Sequence, residues 1–377
     1  MNKLKQFFAG KYFYIFCPVF IIILIHFFST PAYFALSPKC VPCLDCCNMQ
    51  EKINRKDHLL ESVSANYEAS THMAKTEFRL TIPFLAKIFS IKTKYGIYLL
   101  QLLAGFIFFF SLTFFLLKIT NDKLITLLLT MSFGFIYPGY SFVAEMEGFF
   151  DSFAYLFLLI AMLDINIAFI GLALFFAFWT DERAVIASSL VLFWWQYKQN
   201  NETGKNFFIP TKQSYVFIFV LGAYLLIRYL LINYCHFKNQ FSGAGFSVFT
   251  ITINYFGIAF WQAFEGFWLL VSLALYFLIK TKKYNQLIIF LFLNTLIFFI
   301  AMMVADTSKS ISYIFPSILI SLYIITQNID NKEIKKISYI VLLFCFLFPS
   351  YTFIAEKPPH PYNPVYMRIA KYLLHIN

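Results

Sequence analysis

Charge is what this sequence has least of: Asp, Glu, Lys and Arg make up only 13% of 377 residues, against 60% hydrophobic. Soluble domains run at about 25% charged and about 45–50% apolar, so a water-soluble globular chain is excluded. Also missing are a Walker-type loop, a Rossmann fingerprint, H-E-x-x-H and a nucleophile elbow. Their absence excludes soluble nucleotide chemistry. No internal repeat is visible, although repeats are frequent in transporters. The first apolar segment, about 12–36, follows Lys3, Lys5 and Lys11 but lacks a small-x-small cleavage site. It reads as a retained first span rather than a signal peptide.

What is present is Phe (51) and Tyr (24), arranged in repeated apolar stretches of membrane-spanning length. The chain is therefore read as all-α, a polytopic transmembrane helical protein. The net charge of +11 comes from lysines scattered between apolar segments. That pattern belongs to cytoplasmic loops and not to a phosphate-binding groove, so no nucleic-acid partner is expected.

Full-length spans are expected at about 97–117, 124–142, 214–234, 259–279, 284–305, 311–327 and 337–354. Between 149 and 196 lie three apolar pieces, 149–163, 167–179 and 184–196, each roughly 20–22 Å long as helix and short of a core of about 30 Å. Counting all three as passes gives about 11 spans, with the N-terminus in and the C-terminus out. The inner segments then hold most of the loop lysines, and the short outer loops hold only Arg183, Lys238 and Lys309. Counting two passes would place three lysine clusters outside, against the positive-inside rule. The expected organisation is a cytoplasmic tail and first span (1–36), an outer loop (37–94), a helical core (95–354) and an outer tail (355–377).

This topology puts Glu145, Glu147, Asp151, Asp181, Glu182 and Asp306 on one outer face, with Arg183 and Lys309 beside them. Such a cluster suits acid–base chemistry on an anionic substrate. The same acids at helix starts also read as caps that meet the helix dipole. Arg228 lies within a span, a candidate for a lipid phosphate or for pairing with an acid of a neighbouring helix. Glu265 is flanked by aromatics that suit either a sugar or an interfacial belt.

The outer loop opens with "KCVPCLDCC", containing Cys40, Cys43, Cys46 and Cys47. An oxidising compartment favours disulfides there, without choosing the pairing; C-x-x-C spacing also suits a metal. Further on, Phe78, Ile82, Leu85, Ile88 and Phe89 recur at helical spacing, which predicts amphipathic surface helices with Pro83 starting or dividing one of them.

The stretch from Met146 to Trp195, with Asp151 before a short helix and the turn Thr180–Asp181–Glu182 before the next, resembles the GT-C-type integral-membrane glycosyltransferases. Arg79, Pro83 and Leu85 in "TEFRLTIPFLAK", together with "YLLIRYLL" and "ADTSKSISYIFP", are similar to segments of that family. Asp181 stands where the family usually has Lys, and Lys309 where Arg is common. The resemblance implies a sugar donor carried on polyprenyl phosphate, a glycan or lipid acceptor, and inverting transfer on the outer face of a bacterial inner membrane. It also implies a base in the outer loop, here Glu77 or Glu68, with Asp151 and Glu182 organising the acceptor or a metal. Arg79, Arg228 and Lys309 would hold phosphate, with Arg183, Glu147, Asp181, Glu265 and Asp306 completing the substrate site. No cofactor is required, and the acids leave room for a divalent metal. A lipid-linked oligosaccharide flippase and an O-antigen-type polymerase or ligase are the alternative functions.

Overall fold

A computed structural model describes residues 12–28, 44–62, 77–145, 150–238 and 244–348, with 44–49 as backbone alone, and the backbone of a two-residue strand pair, Tyr351–Thr352 with His360–Pro361. Glu68, Glu147, Cys40 and Cys43 lie outside the described residues. Helices dominate. They are α1 Phe13–Phe28, α2 Leu44–Arg55, α3 Thr81–Ile88, α4 Lys94–Thr120, α5 Lys123–Phe135, α6 Tyr137–Ala144, α7 Asp151–Met162, α8 Ile167–Thr180 and α9 Glu182–Thr203. They continue with α10 Lys212–Tyr234, α11 Phe246–Thr252, α12 Phe256–Phe264, α13 Trp268–Lys280, α14 Tyr284–Met302, α15 Thr307–Ile311, α16 Phe315–Thr326 and α17 Asn331–Leu347.

Among the described residues, five helical runs are long and apolar enough to cross a membrane: α4, α10, Phe246–Lys280, α14 and Thr307–Thr326. The bent pair α5 and α6, at 61°, makes a sixth if it counts as one span. The expected 11 spans are therefore not reached by length. α1, α7 and α8, at 16, 12 and 14 residues, are apolar but too short. The expected short piece at 184–196 is in fact part of the 22-residue helix α9. Its ends carry Glu182, Arg183, Lys198 and Glu202, so apolar periodicity alone cut it short. The expected span at 259–279 is the second part of a run broken by turns at Ile253–Tyr255 and Glu265–Phe267.

Short helices end inside the bundle, where unsatisfied carbonyls are costly. Here the neighbours satisfy them. Trp194 and Trp195 of α9 donate their indole N–H groups to Met162 and Ala161 at the end of α7, at 2.9 and 3.0 Å. Gln101 of α4 does the same for Ser141 and Glu145 at the end of α6, at 2.9 and 3.2 Å. α8 packs on α7 and α10, α4 on α1 and α7, and α13 on α16. These contacts bring the starts of α7 and α9 to one end of the bundle.

The break between α5 and α6 has a local cause. Ile136 is extended, Pro138 follows in the first turn of α6, and Gly139 lies against the preceding helix. A Cβ on Gly139 would stand 1.9 Å from the Phe133 carbonyl oxygen, a clash with rigid backbone. Gly139→Ala is expected to open this bend and lower the unfolding temperature in detergent. Gly222→Ala, at a glycine with open space around it, should leave that temperature within a degree or so of wild type, the small effect typical of a surface substitution.

Candidate functional site

Four charged residues singled out by sequence, Arg79, Asp151, Asp181 and Arg183, come together in one network. Asp181 closes α8 and opens α9, its side chain accepting from the Arg183 amide at 2.9 Å. This is an N-cap that satisfies a free donor of the helix start. The same carboxylate receives Arg183 side-on, Nε to Oδ1 at 2.7 Å and Nη2 to Oδ2 at 2.8 Å. Arg79 Nη2 reaches Oδ2 from the segment just before α3 at 2.7 Å.

Arg183 also spans outward. Nη2 donates to Asp151 Oδ1 at 2.7 Å, and Nη1 to Ser310 Oγ at 2.7 Å. The Tyr313 hydroxyl donates to Asp151 Oδ1 at 3.2 Å, while its ring lies 5.0 Å from the Arg183 guanidinium carbon. Asp151 itself is the first residue of α7 but caps nothing; its Oδ2 has no hydrogen-bond partner among the described residues. Tyr155, one turn along α7, donates to the Lys309 carbonyl at 2.9 Å and so ties α7 to α15.

Asp181 lies in a turn between helices, fully out of solvent. Burial would raise its pKa, but Arg183 and then Arg79 outweigh it and hold it well below the ordinary carboxylate range. A depressed acid adds stability that is complete above its unfolded value of about 3.9. That stability is lost only as pH falls below this value toward the folded one. The pair is therefore intact throughout the physiological range.

Glu182 is part exposed, with its side chain 39% in solvent. Arg228 of α10 stands 3.5 Å from it, hydrogen-bonded to the Tyr224 hydroxyl at 2.6 Å and 4.0 Å above the Phe78 ring. Of the two readings of Arg228, pairing with an acid of a neighbouring helix is the one the geometry takes. Lys309 is buried, its ammonium 5.9 Å above the Tyr137 ring. Asp306 occupies the cap position of α15, but its carboxylate caps nothing; its carbonyl accepts from Ser310. Glu265 is buried at a positive φ of 47° in a turn that packs on α17.

Glu77 has a different setting from the one expected of a base. One of its oxygens accepts from Ser62 Oγ and the other from the Lys238 amide, each at 2.7 Å, and its carbonyl accepts from Arg55. It staples three pieces of chain together. Helix α2, where the sequence pattern showed only the cysteine cluster, packs on α3, and α3 is tied to α8 by Thr81 Oγ1 to the Phe176 carbonyl at 2.9 Å. Cys46 and Cys47 lie in the part of α2 described as backbone, so the disulfide expectation falls outside the described side chains. Among the described residues, no three His, Cys, Asp or Glu side chains form a metal-binding group.

Tyr313, Ser310, Tyr155 and Tyr224 were not picked out from sequence. Tyr313 and Ser310 stand three residues apart in "ADTSKSISYIFP", and that spacing puts both on one helical face. A small crevice of about 10 Å³, lined by Arg183, Ile186, Ile297, Ile300, Ser310 and Tyr313, lies beside the network where α9, α14 and residues 310–313 meet. Comparison of the chain with protein-family models, curated proteins and solved structures finds no match.

Two outcomes follow. Arg183→Ala leaves Asp151 and Asp181 buried without their shared partner and should cost roughly 3–5 kcal/mol, read from thermal unfolding in detergent; Arg183→Lys, which keeps the charge but loses the fork, should fall between. The second concerns Lys52 of α2, whose pKa is pushed down to about 7: burial dominates, Glu51 opposes it, and Arg55 and Arg79 add to it. The unfolded chain holds that proton to about 10.4, so stability should rise from about pH 7 to about pH 10. Lys52→Met should raise stability at pH 6 and flatten that slope.

Proposed function

We propose that the chain is a GT-C-like membrane glycosyltransferase that moves a sugar from a polyprenyl-phosphate donor to an envelope glycan or lipid acceptor. The observation that carries this reading is the buried network at Arg183, a fixed guanidinium with one donor to spare beside an isoleucine-lined seam of about 10 Å³. A donor whose anchor is an isoprenoid chain and whose leaving group is a phosphate needs both an apolar approach and a fixed cation. Of the donors on Arg183, one Nη1 hydrogen remains beyond those bonded to Ser310, Asp151 and Asp181, a place for one phosphate oxygen.

The general base in this reading is Glu182, a part-exposed carboxylate next to Arg183, rather than Glu77. Glu182 takes the proton of the acceptor hydroxyl as that oxygen attacks the anomeric carbon from the side opposite the phosphate. The bond between sugar and phosphate breaks, and the electron pair leaves with the polyprenyl phosphate, whose charge Arg183 stabilises. Asp151 and Asp181 hold Arg183 in position. The positive-inside pattern orients the site to the outer face of a bacterial inner membrane.

The test is deletion of the gene followed by mass spectrometry of envelope glycans and lipid-linked intermediates. Complementation with wild type should restore a single missing sugar. Glu182→Gln, at a part-exposed position, should reach the membrane at wild-type levels on an immunoblot yet fail to restore it, with a loss on the order of 100-fold or more in transfer. Accumulation of complete lipid-linked units, with Glu182→Gln fully functional, would instead indicate a flippase and end the transferase reading.

A further inference from the structure

At the other end of the bundle the structure holds a cleft of about 360 Å³, unrelated to the network around Arg183. Lys198 marks the distance: it lies fifteen residues beyond Arg183 on α9, roughly 22 Å along the helix axis. The rim brings charges from three elements together. Lys118 at the end of α4 and Lys198 of α9 both contact Asp164, in the turn between α7 and α8, at 2.9 and 3.1 Å. Glu202, one turn beyond Lys198, stands 3.9 Å from it. Lys118 and its hydrogen bond, with Lys198 adding to it, keep the Asp164 carboxyl below its ordinary range, so it is ionised at neutral pH.

The floor is aromatic and fixed. The Trp194 indole is held by the Met162 carbonyl, with the Phe115 ring at 5.3 Å and the Tyr323 ring at 5.0 Å. The side of the cleft opens along α4. Leu103, Ile107, Phe110 and Phe114 are all exposed and recur every three or four residues in line with Lys118, forming an apolar stripe that ends at the charged rim. Two lysines and two acids, paired with one another through Asp164 and set above aromatic rings at the head of an apolar stripe, define a particular ligand chemistry, because a ligand that enters among them must replace a partner of each sign. An anionic group alone would meet Asp164 and Glu202; a cation alone would meet both lysines. A zwitterion satisfies all four.

We infer that this cleft binds the head group of a phospholipid bearing both a phosphate and a primary ammonium. The phosphate contacts Lys118 and Lys198, the ammonium contacts Asp164 and Glu202, and an acyl chain lies along the α4 stripe. The volume lies within the range of small-ligand pockets, about 300–1,000 Å³, and the rim, two lysines and two acids with no net charge, matches a head group that is itself neutral overall. The inference is independent of the transferase reading, since it uses none of its residues.

The full-length protein, purified in detergent, should be titrated with phosphatidylethanolamine, phosphatidylglycerol and soluble phosphorylethanolamine, and read by native mass spectrometry. Wild type should retain phosphatidylethanolamine at least about tenfold better than phosphatidylglycerol. Asp164→Asn and Lys118→Gln should each abolish that preference. Phe114→Ala, outside the ion pairs, should weaken binding of the lipid and leave the rim charges intact. Equal retention of both lipids by wild type, or retention unchanged in all three variants, would overturn the proposal. Displacement of the lipid by phosphorylethanolamine at equal concentration would also overturn it, because the cleft would then be a site for a soluble ligand.

Discussion

The Arg183 guanidinium, bound to Asp181 on one edge and to Asp151 on the other, is the interaction on which the described end of the bundle depends. It joins the starts of α7 and α9 to α15 through Ser310, and Arg79 extends the same bond set to the segment before α3. Asp151 and Asp181 are out of solvent, and removing ions from water costs several kcal/mol each unless they are paired and hydrogen-bonded. Two buried carboxylates and two guanidiniums in mutual contact meet that condition. An apolar side chain at Arg183 would leave Asp151 without its guanidinium, so that residue holds the set together.

That constraint explains the architecture around it. To bring Asp151, Asp181 and Arg183 together, α7 and α8 must be short, and short helices end where water does not reach. Trp194 and Trp195 take up the last carbonyls of α7, and Gln101 those of α6. The side chains that close the helix ends are thus on the helices that carry the network or pack beside it. Glu77 does comparable work, joining Ser62, the Lys238 amide and Arg55 through one residue. A carboxylate with both oxygens engaged is a staple, whereas Glu182 is part exposed and faces Arg228 at 3.5 Å.

A membrane chain concentrates its few charges, and concentration makes them legible. Arg79, Asp151, Asp181 and Arg183 stood out in the sequence because an ionised group among apolar residues needs a reason to be there. Their partners did not stand out. Tyr313, Tyr224 and Ser310 belong to residue types common in this chain, and nothing local separates a tyrosine that holds a carboxylate from one that packs in the core. The Lys118–Asp164–Lys198 rim was legible only as loop charge, because its members are far apart in sequence and meet only when α4, the α7–α8 turn and α9 pack.

The sequence by itself determined that the chain is helical and apolar enough to enter a membrane, that its helices around 149–200 are interrupted, and that acids and arginines gather at those interruptions. These follow from composition and periodicity, which act residue by residue along the chain. The tertiary structure decided how long each helix runs, which carboxylates are saturated and which are open, and which arginine serves which acid. Those outcomes depend on burial and on distances between segments, and desolvation is a property of the packed assembly that no local stretch of sequence carries.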